Sequence, residues 1–245
     1  MSTTFTRKYG TYHFGSSLEL TDHQLNRLVK VFETPTHAVD SVLGGRTSVA
    51  AAQLEGIGAV VVKHYTRGGL IRHLVRRRYL RWGKTRSQSE YEVLQTVRNL
   101  GISAPEPIAY ASTEGLFFYR AWLVTREIKQ PSTLAELSCA NQERTQILMA
   151  KVIYEVSKLV KNYIYHADLH PGNVLVNSSD RVFILDFDKA CLSRKNRNKL
   201  RDQYISRWRR AVVKHRLPKM LSQMMEAGLR KDWDDMEIKV KEASH

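Results

Sequence analysis

The segment His166-Ala167-Asp168-Leu169-His170-Pro171-Gly172-Asn173 constrains this chain more than any other. Two short apolar runs follow it, Val174-Leu175-Val176 and Val182-Phe183-Ile184-Leu185. Asn177-Ser178-Ser179-Asp180 lies between them and predicts a turn, so the runs read as a short β-hairpin. The second run ends in Asp186-Phe187-Asp188. A lone D-x-x-x-x-N is common in proteins. The full string H-x-D-x-x-x-x-N, then a hairpin, then an apolar strand closing on D-F is far more specific. It places two carboxylates and an amide where they are expected to converge on one crevice.

These residue types suit phosphoryl transfer. The charge on a transferring phosphate calls for magnesium held by hard oxygens, which a carboxylate and an amide oxygen supply. A second carboxylate must reach the attacking hydroxyl and accept its proton. The string resembles the catalytic loop and metal-binding aspartate of the protein-kinase-like superfamily. That resemblance implies ATP and Mg2+ as cofactors, Asp168 as the catalytic base, and Asn173 and Asp186 as metal ligands. His166 is expected to prop the loop by hydrogen bonding. His170 is expected to face solvent and is assigned no role.

A kinase-like site also needs a lysine on the third strand, paired with a helix glutamate. Val60-Val61-Val62-Lys63 offers the lysine at the end of an apolar strand. The helix candidates are Glu90 and Glu92. Glu90 is preferred because it precedes the apolar stripe that begins at Val93. Gly44-Gly45-Arg46 departs from a G-x-G-x-x-G loop, yet two adjacent glycines let backbone N–H groups approach a phosphate, and Arg46 adds a candidate contact.

The rest of the chain fits an α+β, bilobal protein-kinase-like fold. A β-rich N-lobe with one helix is expected over residues 1–128, and a mostly helical C-lobe over 129–245. Ser48–Leu54 and Ala59–Val62 flank Glu55-Gly56-Ile57-Gly58 as a hairpin. Ser87–Asn99 reads as a helix with Val93, Leu94, Val97 and Leu100 at helical spacing and Gly101 as its stop. Ala104-Pro105-Glu106-Pro107 reads as a connector, and Leu116–Ile128 as strand. A long helix is predicted from Asn141 to Tyr163, with Ile147, Leu148, Val152, Val156, Leu159, Val160 and Tyr163 as its buried stripe. From Arg194 onward the chain reads as helical and basic.

The formal net charge of +15 sets the chain toward anionic partners, either nucleic acid or a membrane surface. No apolar run approaches the ~20 residues that span a bilayer. The stretch Met1–Lys8 has no apolar core behind its charges, so no secretory leader is expected. Cys139 and Cys191 match no metal-ligand spacing and read as reduced thiols.

A narrower resemblance rests on Lys63-His64-Tyr65-Thr66-Arg67-Gly68-Gly69-Leu70, Arg78-Tyr79-Leu80, Arg86, Glu90 and Leu100–Pro107, together with the two strings above. The chain is identified as a member of the 3-deoxy-D-manno-octulosonic acid (Kdo) kinase family. This is the lipopolysaccharide kinase group that also holds the heptose kinases of the core oligosaccharide. Lys63 stands where that family often has arginine, and His170-Pro171-Gly172 is closer to the broader kinase-like families. The resemblance implies transfer of the γ-phosphate of ATP to the 4-OH of Kdo in Kdo-lipid A. It also implies a peripheral position at the cytoplasmic face of the inner membrane of a Gram-negative bacterium. Asp188 replaces the glycine of a regulated D-F-G segment, and no A-P-E string follows, which favours a sugar-like acceptor over a protein. Arg67, Arg72, Arg76, Arg77 and Arg78 are candidate contacts to lipid phosphates or the membrane. The Arg207, Arg209, Arg210, Lys214, Arg216 and Lys219 cluster is read the same way, with Trp208 either an interfacial anchor or core.

Three other readings stand beside this one. A heptose kinase or another small-molecule kinase would use the same catalytic residues. An RNA-associated atypical kinase-like protein would use the positive charge, but no aromatic-basic platform for stacking bases is visible, so no nucleic-acid partner is expected. A catalytically dead scaffold conflicts with the presence of Lys63, Asp168, Asn173 and Asp186.

Overall fold

A computed structural model describes residues 4–34, 39–40, 46–65, 84–113 and 120–231. The chain divides into two units, Met1–Gln95 with Glu106–Glu127, and Thr96–Pro105 with Ile128–His245. The architecture is α+β, with a predominantly antiparallel sheet in the first unit.

The first unit begins with strands β1 (Phe5–Tyr9) and β2 (Tyr12–Ser16), then helix α1 (Asp22–Glu33). Strands β3 (Val39–Asp40), β4 (Arg46–Leu54) and β5 (Gly58–Tyr65) follow. Most of helix α2 (Arg86–Asn99), whose last four residues belong to the second unit, and strands β6 (Pro107–Thr113) and β7 (Arg120–Arg126) complete it. The seven strands form one sheet in the order β1-β2-β6-β7-β5-β4-β3, each pair antiparallel. The predicted hairpin is β4–β5, with Ala52 opposite Val60. Alternation along β5 sorts its side chains. Val60 and Val62 are buried among the core residues Leu25, Leu28, Phe32 and Trp122. Lys63 and Tyr65, an odd number of residues from Val62, belong to the opposite face.

The sequence reading expected one helix here, and the structure corrects that. Helix α1 is a second one, opened by a capping box in which Thr21 and Gln24 satisfy each other's backbone N–H groups. Leu25, Leu28 and Phe32 then fall on its buried side, and Phe32 stacks on Trp122 at 4.6 Å. The expected stripe of α2 is also displaced. Ser87, Glu90, Tyr91, Leu94 and Val97 are the buried residues, whereas Leu100 is exposed. Polar Ser87 and Glu90 hold core-facing positions because each has partners there, Ser87 through its hydroxyl to the Ala111 carbonyl at 3.2 Å.

Gly101 does end α2. At φ +74° it permits a turn in which the Ile102 N–H bonds to the Val97 carbonyl and the Gly101 N–H to that of Arg98. That is a Schellman closure. The following connector is tied into the second unit by the Ser103 N–H to Glu155 at 2.7 Å and the Ile184 N–H to the Ser103 carbonyl at 2.9 Å.

The second unit holds β8 (Ser132–Thr133), α3 (Leu134–Ala140), α4 (Gln142–Lys161) and β9 (Ile164–Tyr165). A 3₁₀ turn at Pro171–Asn173 leads into the hairpin β10 (Val174–Val176) and β11 (Val182–Ile184). Then come β12 (Cys191–Leu192), α5 (Arg197–Lys214) and α6 (Met220–Arg230). Asn141 caps α4, and Leu148, Val152, Val156, Leu159 and Val160 are buried as expected. Ile147 and Tyr163, assigned to the same stripe, are exposed, and the buried set includes Met149 and Ile153 instead. Both cysteines are free thiols.

Trp208 is core rather than an interfacial anchor. It is 1% exposed, and its indole N–H donates to the Leu221 carbonyl at 3.1 Å, fixing α5 on α6. Trp208→Ala is therefore expected to cost ~3–5 kcal/mol and to lower the thermal midpoint. Trp208→Phe keeps most of the volume and forfeits about 1 kcal/mol with the hydrogen bond. Thermal unfolding followed by circular dichroism measures both; an anchor facing outward would leave the two midpoints near the wild-type value.

Candidate active site

The segment from His166 to Asn173 leaves β9 and is held from within by His166. This imidazole is fully buried. Its Nδ1 accepts from the Asp168 N–H at 3.2 Å, so its Nε2 carries the proton and donates to the Leu185 carbonyl at 2.7 Å. Burial pushes its pKa down, while the Leu185 carbonyl and the carboxylates of Asp186 and Asp168 pull it back up. A neutral imidazole with one donor and one acceptor is the form this geometry uses. Phe187, also fully buried, meets the ring edge-on at 4.8 Å.

The same joint runs through Asn173. Its backbone carbonyl accepts from the Leu185 N–H at 2.9 Å, and its side-chain Nδ2 donates to the Asp168 carbonyl at 2.8 Å. Leu185 is thus bonded through its N–H to Asn173 and through its C=O to His166. The next residue is Asp186. The structure therefore brings Asp168, Asn173 and Asp186 together around one backbone junction. Both aspartates also bear electrostatically on His170. Asp186 lies two residues beyond β11 rather than at its end, with φ +60°. A non-glycine residue there costs ~1–3 kcal/mol and persists where the surroundings demand it.

His170 is not the solvent-facing residue expected. It is half-buried, and its Nδ1 accepts from the Gly172 N–H at 3.1 Å, capping the 3₁₀ turn that delivers Asn173. Burial pushes its pKa down as well.

Two side chains of α5 complete the loop's support. The Tyr204 hydroxyl accepts from the His166 N–H at 2.7 Å and donates to the Ile164 carbonyl at 2.8 Å. Burial raises the phenol pKa, which keeps it a donor. Arg207, one turn on, donates to Oδ1 of Asp168 at 3.3 Å. Reading by charge alone put Arg207 in a surface cluster and gave Tyr204 no role. Helical spacing from Tyr204 to Trp208 is the only signal that places Arg207 inward.

In the first unit, Lys63 Nζ donates to both carboxylate oxygens of Glu90, at 2.9 and 3.2 Å. Glu90 is 2% exposed, and the Tyr65 hydroxyl also donates to it. The Lys63 ammonium and the Arg86 guanidinium lie 5.1 and 5.3 Å from the Tyr65 ring centroid. Of the two glutamates considered, Glu92 instead pairs with Lys84. Gly44 and Gly45 lie outside the described residues, as do Arg67, Arg72, Arg76, Arg77 and Arg78; Arg46 opens β4.

The sequence profile of the lipopolysaccharide kinase (Kdo/WaaP) family matches residues 29–235. The chain belongs to this family. The matched range contains Lys63, Glu90, Asp168, Asn173, Asp186 and Arg207. Among similar proteins is the 3-deoxy-D-manno-octulosonic acid kinase of Vibrio parahaemolyticus, 31% identical over 63% of this chain and 65% of the relative. The enzyme of the same name from Vibrio vulnificus is 34% identical over 60% of this chain and 62% of its own length. That of Xylella fastidiosa is 29% identical over 71% and 69%. The chain spans a little under two thirds of the length of the Vibrio relatives it matches.

Neutral His166 links pH to stability in this family member. An unfolded imidazole titrates near 6.5, whereas the folded one stays neutral to lower pH. The unfolded chain therefore binds more protons as pH falls, and stability declines as pH drops through about 6.5 while being fully present above it. Denaturant titrations at about pH 7.5 and pH 5.5 are expected to show that decline, with a shallower one in His166→Gln. His170 contributes with the same sign, so the variant keeps part of the slope. An unchanged slope in His166→Gln would contradict a buried neutral imidazole.

Proposed function

We propose that this chain is an ATP-dependent kinase that phosphorylates a hydroxyl, the 4-OH, of Kdo in Kdo-lipid A during lipopolysaccharide core biosynthesis. The observation that carries the reading is the junction of His166, Leu185 and Asn173, whose hydrogen bonds join the backbone of Asp168 to the residue before Asp186. Family membership and the names of the Vibrio and Xylella relatives point to the same acceptor.

In this reading residues 1–128 form the nucleotide-holding lobe and 129–245 the catalytic lobe of a bilobal kinase-like fold. Lys63, oriented by Glu90 and Tyr65, holds the α- and β-phosphates of ATP. Gly44, Gly45 and Arg46 are assigned to the phosphate loop. Asp186 and Asn173 fit magnesium by donor chemistry. Both offer hard oxygens, and Asn173 has its Nδ2 committed to the loop, which leaves Oδ1 for a cation. Among the described residues no group of three or more His, Cys, Asp or Glu side chains could hold a metal. Mg2+ takes one or two protein ligands and shares its remaining positions with phosphates and water. When bound, the metal neutralises charge on the phosphates. Asp168 accepts the proton of the acceptor hydroxyl as its oxygen bonds to the γ-phosphorus and the bond to the ADP oxygen breaks.

The site of action in this proposal is the cytoplasmic face of the inner membrane of a Gram-negative bacterium, with the chain bound peripherally. No described helix is long and apolar enough to cross a membrane. Arg209, Arg210, Lys214 and Arg216 are exposed along and just beyond α5. Each cation near an anionic surface contributes about 1 kcal/mol. Arg67, Arg72, Arg76, Arg77 and Arg78 are assigned to the same contact.

Incubating the purified chain with ATP, Mg2+ and Kdo-lipid A is expected to add one phosphate to the Kdo, read by mass spectrometry. Asp168→Ala and Asp186→Ala are each expected to lower turnover by ~10²–10⁴-fold with the fold retained. Lys63→Met is expected to raise KM for ATP, and chelation of Mg2+ to stop the reaction. Product from a heptosylated core but none from Kdo-lipid A reassigns the acceptor; full activity in either aspartate variant removes the mechanism.

A further inference from the structure

Arg207 differs from its neighbours on α5. Arg209 and Arg210 are exposed, whereas Arg207 turns inward and bonds the proposed base. Its placement is rigid. Tyr204, one turn before it, is buried and tied to the loop at His166 and Ile164. Trp208, the next residue, is buried and tied to Leu221. Arg207 is thus flanked on one helix by two anchors that fix its approach to Asp168.

That approach is not explained by stability. The Arg207 and Asp168 side chains are 31% and 53% exposed, and ion pairs of that exposure contribute little to folding. Nor does the metal need Arg207. Asn173 and Asp186, the proposed metal ligands, come from the 3₁₀ turn and from the segment after β11, while Arg207 comes from α5. In-line transfer puts the attacking oxygen and the leaving ADP on opposite sides of the phosphorus. A cation that reaches the base from a different element than the metal ligands suits the acceptor. Guanidinium carries five donors in a planar fork, and the bond to Oδ1 engages one of its nitrogens. The remaining donors match the two oxygens of a carboxylate in a parallel pair. Each oxygen of such a pair also helps fix the orientation of the molecule that carries it.

We propose that Arg207 is an acceptor-binding residue that takes the carboxylate of a sugar acid and sets the hydroxyl to be phosphorylated against Asp168. The assignment rests on the acceptor being the sugar acid proposed above. It names the group that distinguishes a 2-keto sugar acid from a neutral heptose: a carboxylate held by the same arginine that touches the base. In the absence of acceptor the guanidinium pairs with Asp168, and the incoming carboxylate shares it.

The test pairs two acceptors, Kdo-lipid A and its carboxyl-reduced counterpart, with the wild type, Arg207→Ala and Arg207→Lys. The wild type is expected to lose ~10- to 100-fold in kcat/KM on the reduced acceptor, the scale of hydrogen bonds to a charged group. Arg207→Ala is expected to lose a similar factor on Kdo-lipid A, mainly through acceptor KM, with KM for ATP unchanged. It should then be indifferent to reduction of the carboxyl. Arg207→Lys is expected to restore part of the acceptor KM. Circular dichroism of all three should superimpose. Losses from mutation and from reduction that multiply instead of coinciding overturn the assignment. So does a rise in KM for ATP, which places Arg207 on the phosphates, or a gain in turnover in Arg207→Ala, which makes the pair a brake on the base. Failure of the wild type to phosphorylate Kdo-lipid A at all is a different result and defeats the acceptor assignment itself.

Discussion

The candidate site depends on a single buried imidazole. His166 has to present a donor to the Leu185 carbonyl and an acceptor to the Asp168 N–H at once, and only the neutral ring does both. Amide side chains could offer the same pair of functions, but a ring also packs edge-on against Phe187. The consequence is mechanical. Asp168 lies ahead of the β10–β11 hairpin and Asp186 two residues beyond it, and the imidazole bonds the backbone at Asp168 and at Leu185, next to Asp186. Asn173 adds a second tie through Leu185, so shifting the backbone at either aspartate breaks hydrogen bonds, and leaving the buried His166 ring unmet costs ~1–3 kcal/mol.

The Lys63–Glu90 pair obeys a related constraint in the other unit. A carboxylate as buried as Glu90 is tolerated only with charge and hydrogen bonds around it. Lys63 supplies both through two oxygens, and Tyr65, on the same face of β5, supplies another donor. Tyr65 therefore does more than lengthen the strand. It takes up part of the hydrogen-bonding capacity of Glu90, so the lysine is held without having to satisfy the carboxylate alone. Two aromatic contacts from Lys63 and Arg86 to the Tyr65 ring hold this corner further in place.

Much of this was legible from spacing. The β4–β5 hairpin, the α2 stop at Gly101 and the β10–β11 hairpin all follow from local chemistry that tertiary contacts do not override. What escaped has physical reasons. Helix α1 carries its signal in Thr21 and Gln24, a capping box written with glutamine, ahead of only three large buried apolar residues. Ile147 fits the α4 period yet is exposed, and Tyr163 falls past the helix C-cap at φ +55°, with the Arg197 guanidinium over its ring. Ser87 and Glu90 break the apolar pattern of α2 because their partners, Ala111 and Lys63, are remote in sequence. Arg207 was lost among its like-charged neighbours, since charge counting has no direction.

Direction is what helix α5 supplies. Its mean composition is that of a solvated basic helix, yet Leu200, Tyr204, Ile205, Trp208 and Val212 form a continuous buried side. The two ends of that side do different work. Trp208 binds the helix to α6, and Tyr204 binds it to the backbone at His166 and Ile164, so the helix cannot rotate to solvate Arg207 without losing both. The inward arginine is then a property of the packing and not of its own ion pair, which is too exposed to hold it. Arg209, Arg210 and Lys214 are left on the outer side by the same rotation. Helix α5 therefore carries one arginine bonded to Asp168, the proposed base, beside neighbouring cations that stay exposed.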